Sequence, residues 1–139
     1  MTTEIDFEQA RLNMIEQQIR TWGVLDQKVL DLLDIIHRED FVPADYRQLA
    51  LADTNIPLAN SQVMMTPKLE ARLLQAVAVR EEDKVLEIGT GSAYLTALLA
   101  KSTQHVDSID IFKKFVDEAK IKLGKYGLDN VSLSHACAL

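Results

Sequence analysis

The stretch Glu87-Ile88-Gly89-Thr90-Gly91-Ser92-Ala93 has the composition of a ligand-binding turn. Two closely spaced glycines let a backbone turn sharply and let a ligand approach it. The apolar run Lys84-Val85-Leu86-Glu87-Ile88 comes before the turn, and a helical pattern begins at Tyr94 directly after it. The start of such a helix offers unpaired N–H groups and a partial positive charge. Asp110 lies nineteen residues beyond Gly91, at the end of a second apolar run. An acid in that place typically accepts hydrogen bonds from ribose hydroxyls. A nucleoside-containing cofactor is the ligand class expected.

Charge narrows that class. A dinucleotide fingerprint G-x-G-x-x-G needs a third glycine three positions after Gly91, where this chain has Tyr94. Glu87 would set a carboxylate near a pyrophosphate, an unfavourable like-charge contact at low local dielectric. No Gly-Lys-Ser/Thr follows the turn, which excludes a P-loop. S-adenosylmethionine carries a sulfonium and an ammonium group and no phosphate, so E-x-G-x-G suits it better than NAD. The bland alternative is a strand–turn–helix joint whose glycines serve packing alone. The acids before and after the turn, and the pattern around them, favour the ligand.

Two blocks position these residues. Over 1–79 the chain reads as helical. Asp6 and Gln9 resemble a capping box, and Phe7, Ala10, Met14, Ile15, Ile19 and Trp22 recur at helical spacing up to Gly23. Asp26 can cap a second helix with the stripe Val29, Leu30, Leu32, Leu33 and Ile36. Turn formers and Pro57 suggest an extended loop from Asp53 to Gln62, and Thr66-Pro67 starts a helix expected to bury Leu69, Leu73, Leu74 and Val77. Over 80–139 the period changes. Lys84–Ile88 reads as a buried strand, and Val106–Ile111 and Val131–Ser134 read as further strands. Helices begin at Tyr94 and at Phe112, the second burying Phe115, Val116, Ala119 and Leu123. That alternation with short connections predicts an α/β fold: a helical N-terminal extension and the first half of a doubly wound, Rossmann-like parallel sheet, one incomplete domain.

Composition bounds the rest. With 139 residues, 47% hydrophobic and 26% charged, the chain has the make-up of one globular domain. A net charge of −6 argues against a broad grip on nucleic acid. No apolar run is long enough to cross a bilayer, and Met1-Thr2-Thr3-Glu4 does not open a signal peptide. One cysteine, Cys137, suits a reducing cytoplasm. His37, His105 and His135 lack metal-ligand spacing. The ordinary readings of other residues are core for Trp22, flexible core filler for Met64 and Met65, and a small buried hydrophobe for Cys137. Lys113, Lys114, Lys120, Lys122 and Lys125 read as the solvated side of a helix.

A longer pattern runs through Arg11-Leu12-Asn13-Met14, Gly23-Val24-Leu25-Asp26, Arg38-Glu39-Asp40-Phe41-Val42-Pro43, Pro57-Leu58, Pro67 and Val85 to Ser92. In this order and spacing the chain resembles the protein-L-isoaspartate O-methyltransferase family over nearly its whole length. The resemblance implies an S-adenosylmethionine-dependent methyltransferase that methylates the side-chain carboxylate of an isoaspartyl residue in a damaged protein or peptide. It implies Glu87, Gly89 and Gly91 at the cofactor's amino-acid end, Thr90 and Ser92 as further cofactor-binding residues of the turn, and Asp110 on the ribose. Three positions depart from the family pattern. Aligned on Pro67, Met65 stands at the family's serine, and a thioether cannot donate a hydrogen bond. The catalytic group is therefore unassigned, with Thr66 the neighbouring hydroxyl. Ala93 stands where the family has another glycine, a mild change if its φ is negative. Cys137 replaces the acid of a Gly-Asp-Gly.

A sheet that stops after its third strand leaves Val85–Ile88 at an edge, a template for pairing with another chain. The expectation is a fragment of a longer protein, or a homodimer formed through that edge. The alternative to an active enzyme is a cofactor-binding relative without isoaspartyl methyltransferase activity, and behind it a stable piece without intact cofactor binding.

Overall fold

The computed structural model describes residues 5–138, and the chain divides into two compact units. The first runs up to Ile56 and resumes over Met65–Val77; the second comprises Pro57–Met64 and the chain from Ala78 onward.

In the first unit, the Asp6 carboxylate accepts the Gln9 N–H at 3.1 Å and caps α1 (Phe7–Met14). The helix continues as a π turn, Ile15–Ile19, and a 3₁₀ turn, Arg20–Trp22. Gly23 ends it in the left-handed region, φ +82°. Met14, Ile15 and Ile19 are buried as their spacing requires. Trp22 is a correction: it is 46% exposed, with the Lys68 ammonium 4.3 Å from its ring centroid. The indole therefore serves as a cation–π face rather than as core. Asp26 caps α2 (Gln27–Ile35) by accepting the Lys28 N–H at 3.0 Å, and the predicted stripe from Val29 to Ile36 is buried.

Helix α3 (Pro67–Val77) follows Thr66, whose carbonyl accepts the Glu70 N–H at 3.2 Å. Its buried face is Pro67, Glu70, Ala71 and Leu74, while Leu69, Leu73 and Val77 are exposed, contrary to expectation. The face is rotated because Glu70 pairs with the buried Arg38, so a charged residue takes an interior position. Arg38 also donates to the carbonyls of Ala50 at 2.7 Å and Met65 at 2.6 Å. A second buried pair joins Arg11 and Glu39.

In the second unit, the Leu58 N–H donates to the Gln62 carbonyl at 2.8 Å and closes the loop ahead of the short strand Val63–Met64. This strand is β2, and the short strand β1 (Ile56–Pro57) precedes it in the chain. The main element is a parallel sheet in the order β3 (Lys84–Ile88), β4 (His105–Asp110), β5 (Val131–His135). The connections are α4 (Tyr94–Ser102) and α5 (Lys113–Lys125), which both pack against β4. Alternation along β4 buries Val106, Ser108 and Asp110 and exposes Asp107. Phe115, Val116, Ala119 and Leu123 are buried on α5.

The run Lys84–Ile88 is a strand but not a buried one: Leu86 is 63% and Ile88 66% exposed. As an edge strand, β3 turns Glu87 inward, pairs with β4 on one side, and leaves its alternate residues bare. Among the described residues no helix is long and apolar enough to cross a membrane.

Candidate functional site

The turn after β3 folds as its glycines require. Gly89 and Gly91 have φ of +99° and +53°. The Gly89 and Thr90 N–H groups both donate to the Ile109 carbonyl, at 2.8 and 3.2 Å, tying the turn to β4. Ala93 is fully buried at φ +70°, so the condition for a mild substitution is not met. An L-residue held there costs about 1 kcal/mol. Next to it, Lys122 of α5 donates to the Ser92 carbonyl at 3.1 Å. Lys122 is half-buried rather than solvated, and burial lowers its pKa, opposed by the charge of Glu118. The Ser92 hydroxyl oxygen accepts the Tyr94 N–H at 3.4 Å at the start of α4.

The two acids of the turn have different surroundings. Asp110 is buried at the end of β4 and spans two loops: one oxygen accepts the Gly91 N–H at 3.0 Å, the other the Phe112 N–H at 2.9 Å. A carboxylate has about four acceptor positions, so two stay open. Glu87 is buried on β3, where it accepts from the hydroxyls of Thr96 and of Ser108, the latter at 2.6 Å. Ser108 in turn shares a 2.6 Å hydrogen bond with the Thr90 hydroxyl. Burial raises the Glu87 pKa, the two hydroxyl contacts lower it, and the charge of Asp110 adds to the rise.

A cavity of about 530 Å³ opens beside the turn, within the size range of small-molecule sites. Gly89, Gly91 and Asp110 line it, with apolar walls from Ile88, Ile111 and Phe112. Glu87, Thr90 and Ser92 are not among its lining residues; Ser108 links Glu87 to Thr90, and Ser92 meets the start of α4. None of the described lining residues is Lys or Arg. Cys137 lines the cavity between Ala136 and Ala138, exposed rather than buried as expected. The Ala136 N–H donates to the Asp110 carbonyl at 3.0 Å, which carries the chain past β5 along the cavity rim. Met65 and Thr66 belong to the first unit.

Several contributors were not singled out from the sequence. Leu58, Gln62 and Val63 also line the cavity, though a loop pattern gives no sign of that. Ser108 was detectable in principle, as a polar residue between Val106 and Asp110 on the buried side of a strand.

The sequence profile of protein-L-isoaspartate(D-aspartate) O-methyltransferase matches residues 9–137. The chain belongs to this family. It is 35% identical over 125 residues to a protein-L-isoaspartate O-methyltransferase of Klebsiella pneumoniae, covering 90% of this chain and 60% of that protein. With the Petrotoga mobilis protein of the same name it shares 37% over 129 residues, covering 93% and 61% respectively. The chain thus spans about three-fifths of the length of these relatives. A Plasmodium falciparum structure described as a protein-L-isoaspartate O-methyltransferase in complex with S-adenosyl-L-homocysteine superposes with a TM-score of 0.75 at 17% identity, covering 96% of this chain and 64% of that one. That likeness establishes the expected fold: an α/β methyltransferase sheet with a helical extension.

Proposed function

We propose that the second unit of this protein-L-isoaspartate O-methyltransferase family member binds S-adenosylmethionine. The observation that carries the reading is the cavity's charge: an acid with open acceptor positions, apolar walls, and no Lys or Arg among the described lining residues. A pyrophosphate would meet no cation there, whereas an adenosyl sulfonium finds hydrogen-bond acceptors for its ribose and apolar contact for its base. Asp110 holds the ribose, Gly89 and Gly91 admit the ligand to the backbone, and Ile88, Ile111 and Phe112 contact the adenine. Glu87, Thr90 and Ser92 support the turn without entering the cavity. The Plasmodium falciparum protein's bound S-adenosyl-L-homocysteine supports the same ligand class.

For the whole protein we propose methyl transfer to the side-chain carboxylate of isoaspartyl residues in damaged proteins, as the names of its relatives indicate. The bound cofactor supplies a methyl group activated on a sulfonium. A carboxylate is already nucleophilic, so the protein's work is alignment and the exclusion of water, with no strong base to supply. A second reading, cofactor binding without repair, is favoured by Met65, whose thioether offers no donor at the family's serine position. The exposed Leu86 and Ile88 of the β3 edge support self-association, and the lone cysteine supports a cytoplasmic location.

Calorimetry with S-adenosylhomocysteine and with NAD tests the cofactor: saturable binding of the first and none of the second is expected, and the reverse overturns the reading. Transfer of labelled methyl to an isoaspartyl peptide, and not to its aspartyl counterpart, is the expected result for the enzyme. Binding without transfer selects the second reading.

A further inference from the structure

The turn that shapes the cavity contains one residue that opposes its own conformation. Ala93 is left-handed and fully buried at the start of α4. Immediately before it, the Ser92 carbonyl points at an ammonium group supplied from α5, thirty residues further along the chain. Lys122 is half-buried, and its head reaches the turn. A lysine on an amphipathic helix gains more hydration by pointing outward. This one gives up part of that hydration and donates to a backbone carbonyl instead.

We propose that Lys122 is a positioning residue for the cofactor, clamping the Ser92 carbonyl so that the Gly89–Ser92 turn keeps its cavity-forming shape despite an alanine at the left-handed position. The inference rests on the cofactor reading above. It adds a residue outside the cavity wall, acting through Ser92 and the turn rather than on the ligand. A donor at the tip of a long side chain is the essential feature. Arginine retains that feature, and methionine keeps the apolar stem without it.

The test uses the 139-residue chain and three variants: Lys122→Met, Lys122→Arg, and Lys122→Met combined with Ala93→Gly. S-adenosylhomocysteine affinity is expected to fall roughly tenfold in Lys122→Met, the loss of one charged hydrogen bond. It should return to near the native value in Lys122→Arg. The double variant should recover part of the loss, since glycine adopts the left-handed conformation without a clamp. Amide hydrogen exchange at Gly91, Ser92 and Ala93, measured without ligand, should speed up in Lys122→Met and not in Lys122→Arg. Native affinity in Lys122→Met, or a loss that arginine does not rescue, overturns the proposal. If the native chain binds no S-adenosylhomocysteine, the cofactor reading itself fails. The exchange measurement then still decides the clamp, which is overturned if Lys122→Met leaves exchange unchanged.

Discussion

In the first unit the buried acids meet arginines, Glu39 with Arg11 and Glu70 with Arg38. In the second, Glu87 is held by two hydroxyls and Asp110 by two backbone N–H groups, with no cationic partner for either among the described residues. The two arrangements suit different tasks. A buried acid–arginine pair neutralises itself and ties segments distant in sequence, as Arg38 ties α3 to the carbonyls of Ala50 and Met65. An acid satisfied by neutral donors keeps its negative potential available to whatever enters the neighbouring space. Charge is neutralised by arginine in one unit and held by neutral donors in the other.

The strongest way to break that contrast is Arg38→Met. It leaves Glu70 buried without its counter-ion and should destabilise the chain by about 3–5 kcal/mol, read from urea denaturation. A loss below about 1 kcal/mol would show that the pair contributes little. On the other side, Asp110→Asn removes the charge while nearly keeping the shape. It should weaken S-adenosylhomocysteine binding roughly tenfold to a hundredfold by calorimetry, the range for hydrogen bonds to a charged group, with a smaller effect on folding.

Glu87 sharpens the comparison through pH. Burial raises its pKa in the folded state, so the folded chain binds its proton more tightly than the unfolded one. Its contribution to stability is complete below the ordinary value of 4.5 and is lost as pH rises through the raised folded value. Glu87→Gln should therefore match the native chain at acid pH and exceed it at neutral pH in thermal melts. Parallel curves would show that the hydroxyls of Thr96 and Ser108 compensate the burial. The smallest effect is expected from Ala93→Gly, a gain below about 1 kcal/mol: relief of the left-handed strain is partly offset by a lost buried methyl and a freer unfolded chain. A clear loss of stability would mean that the methyl outweighs the strain.

Much of the second unit was legible because its signals are local. The apolar runs, Gly89 and Gly91, and Asp110 at a strand end state the sheet, the turn and the cavity wall within short windows of sequence. What escaped depends on distant partners. Periodicity marks an apolar stripe on α3, yet Leu69, Leu73 and Val77 stay exposed because Arg38 draws Glu70 inward. Lys122 shares its pattern with solvated lysines, and only the folded chain brings the Ser92 carbonyl to it. A residue's type does not state its φ, so the strain at Ala93 was invisible as well. Cys137 read as a small core residue, since nothing nearby in sequence reveals that the chain past β5 skirts an open cavity.

Asp110 joins Gly91 and Phe112 through the two oxygens of one carboxylate and itself lines the cavity. On the cofactor reading proposed above, arrival of the ligand and the order of both loops are linked by a single charge. A ligand that engages that carboxylate would add contacts to a group already holding both loops, so affinity and local rigidity are expected to vary together. A chain frozen before its ligand comes would gain less from binding, and a chain with this acid neutralised would loosen at both places at once.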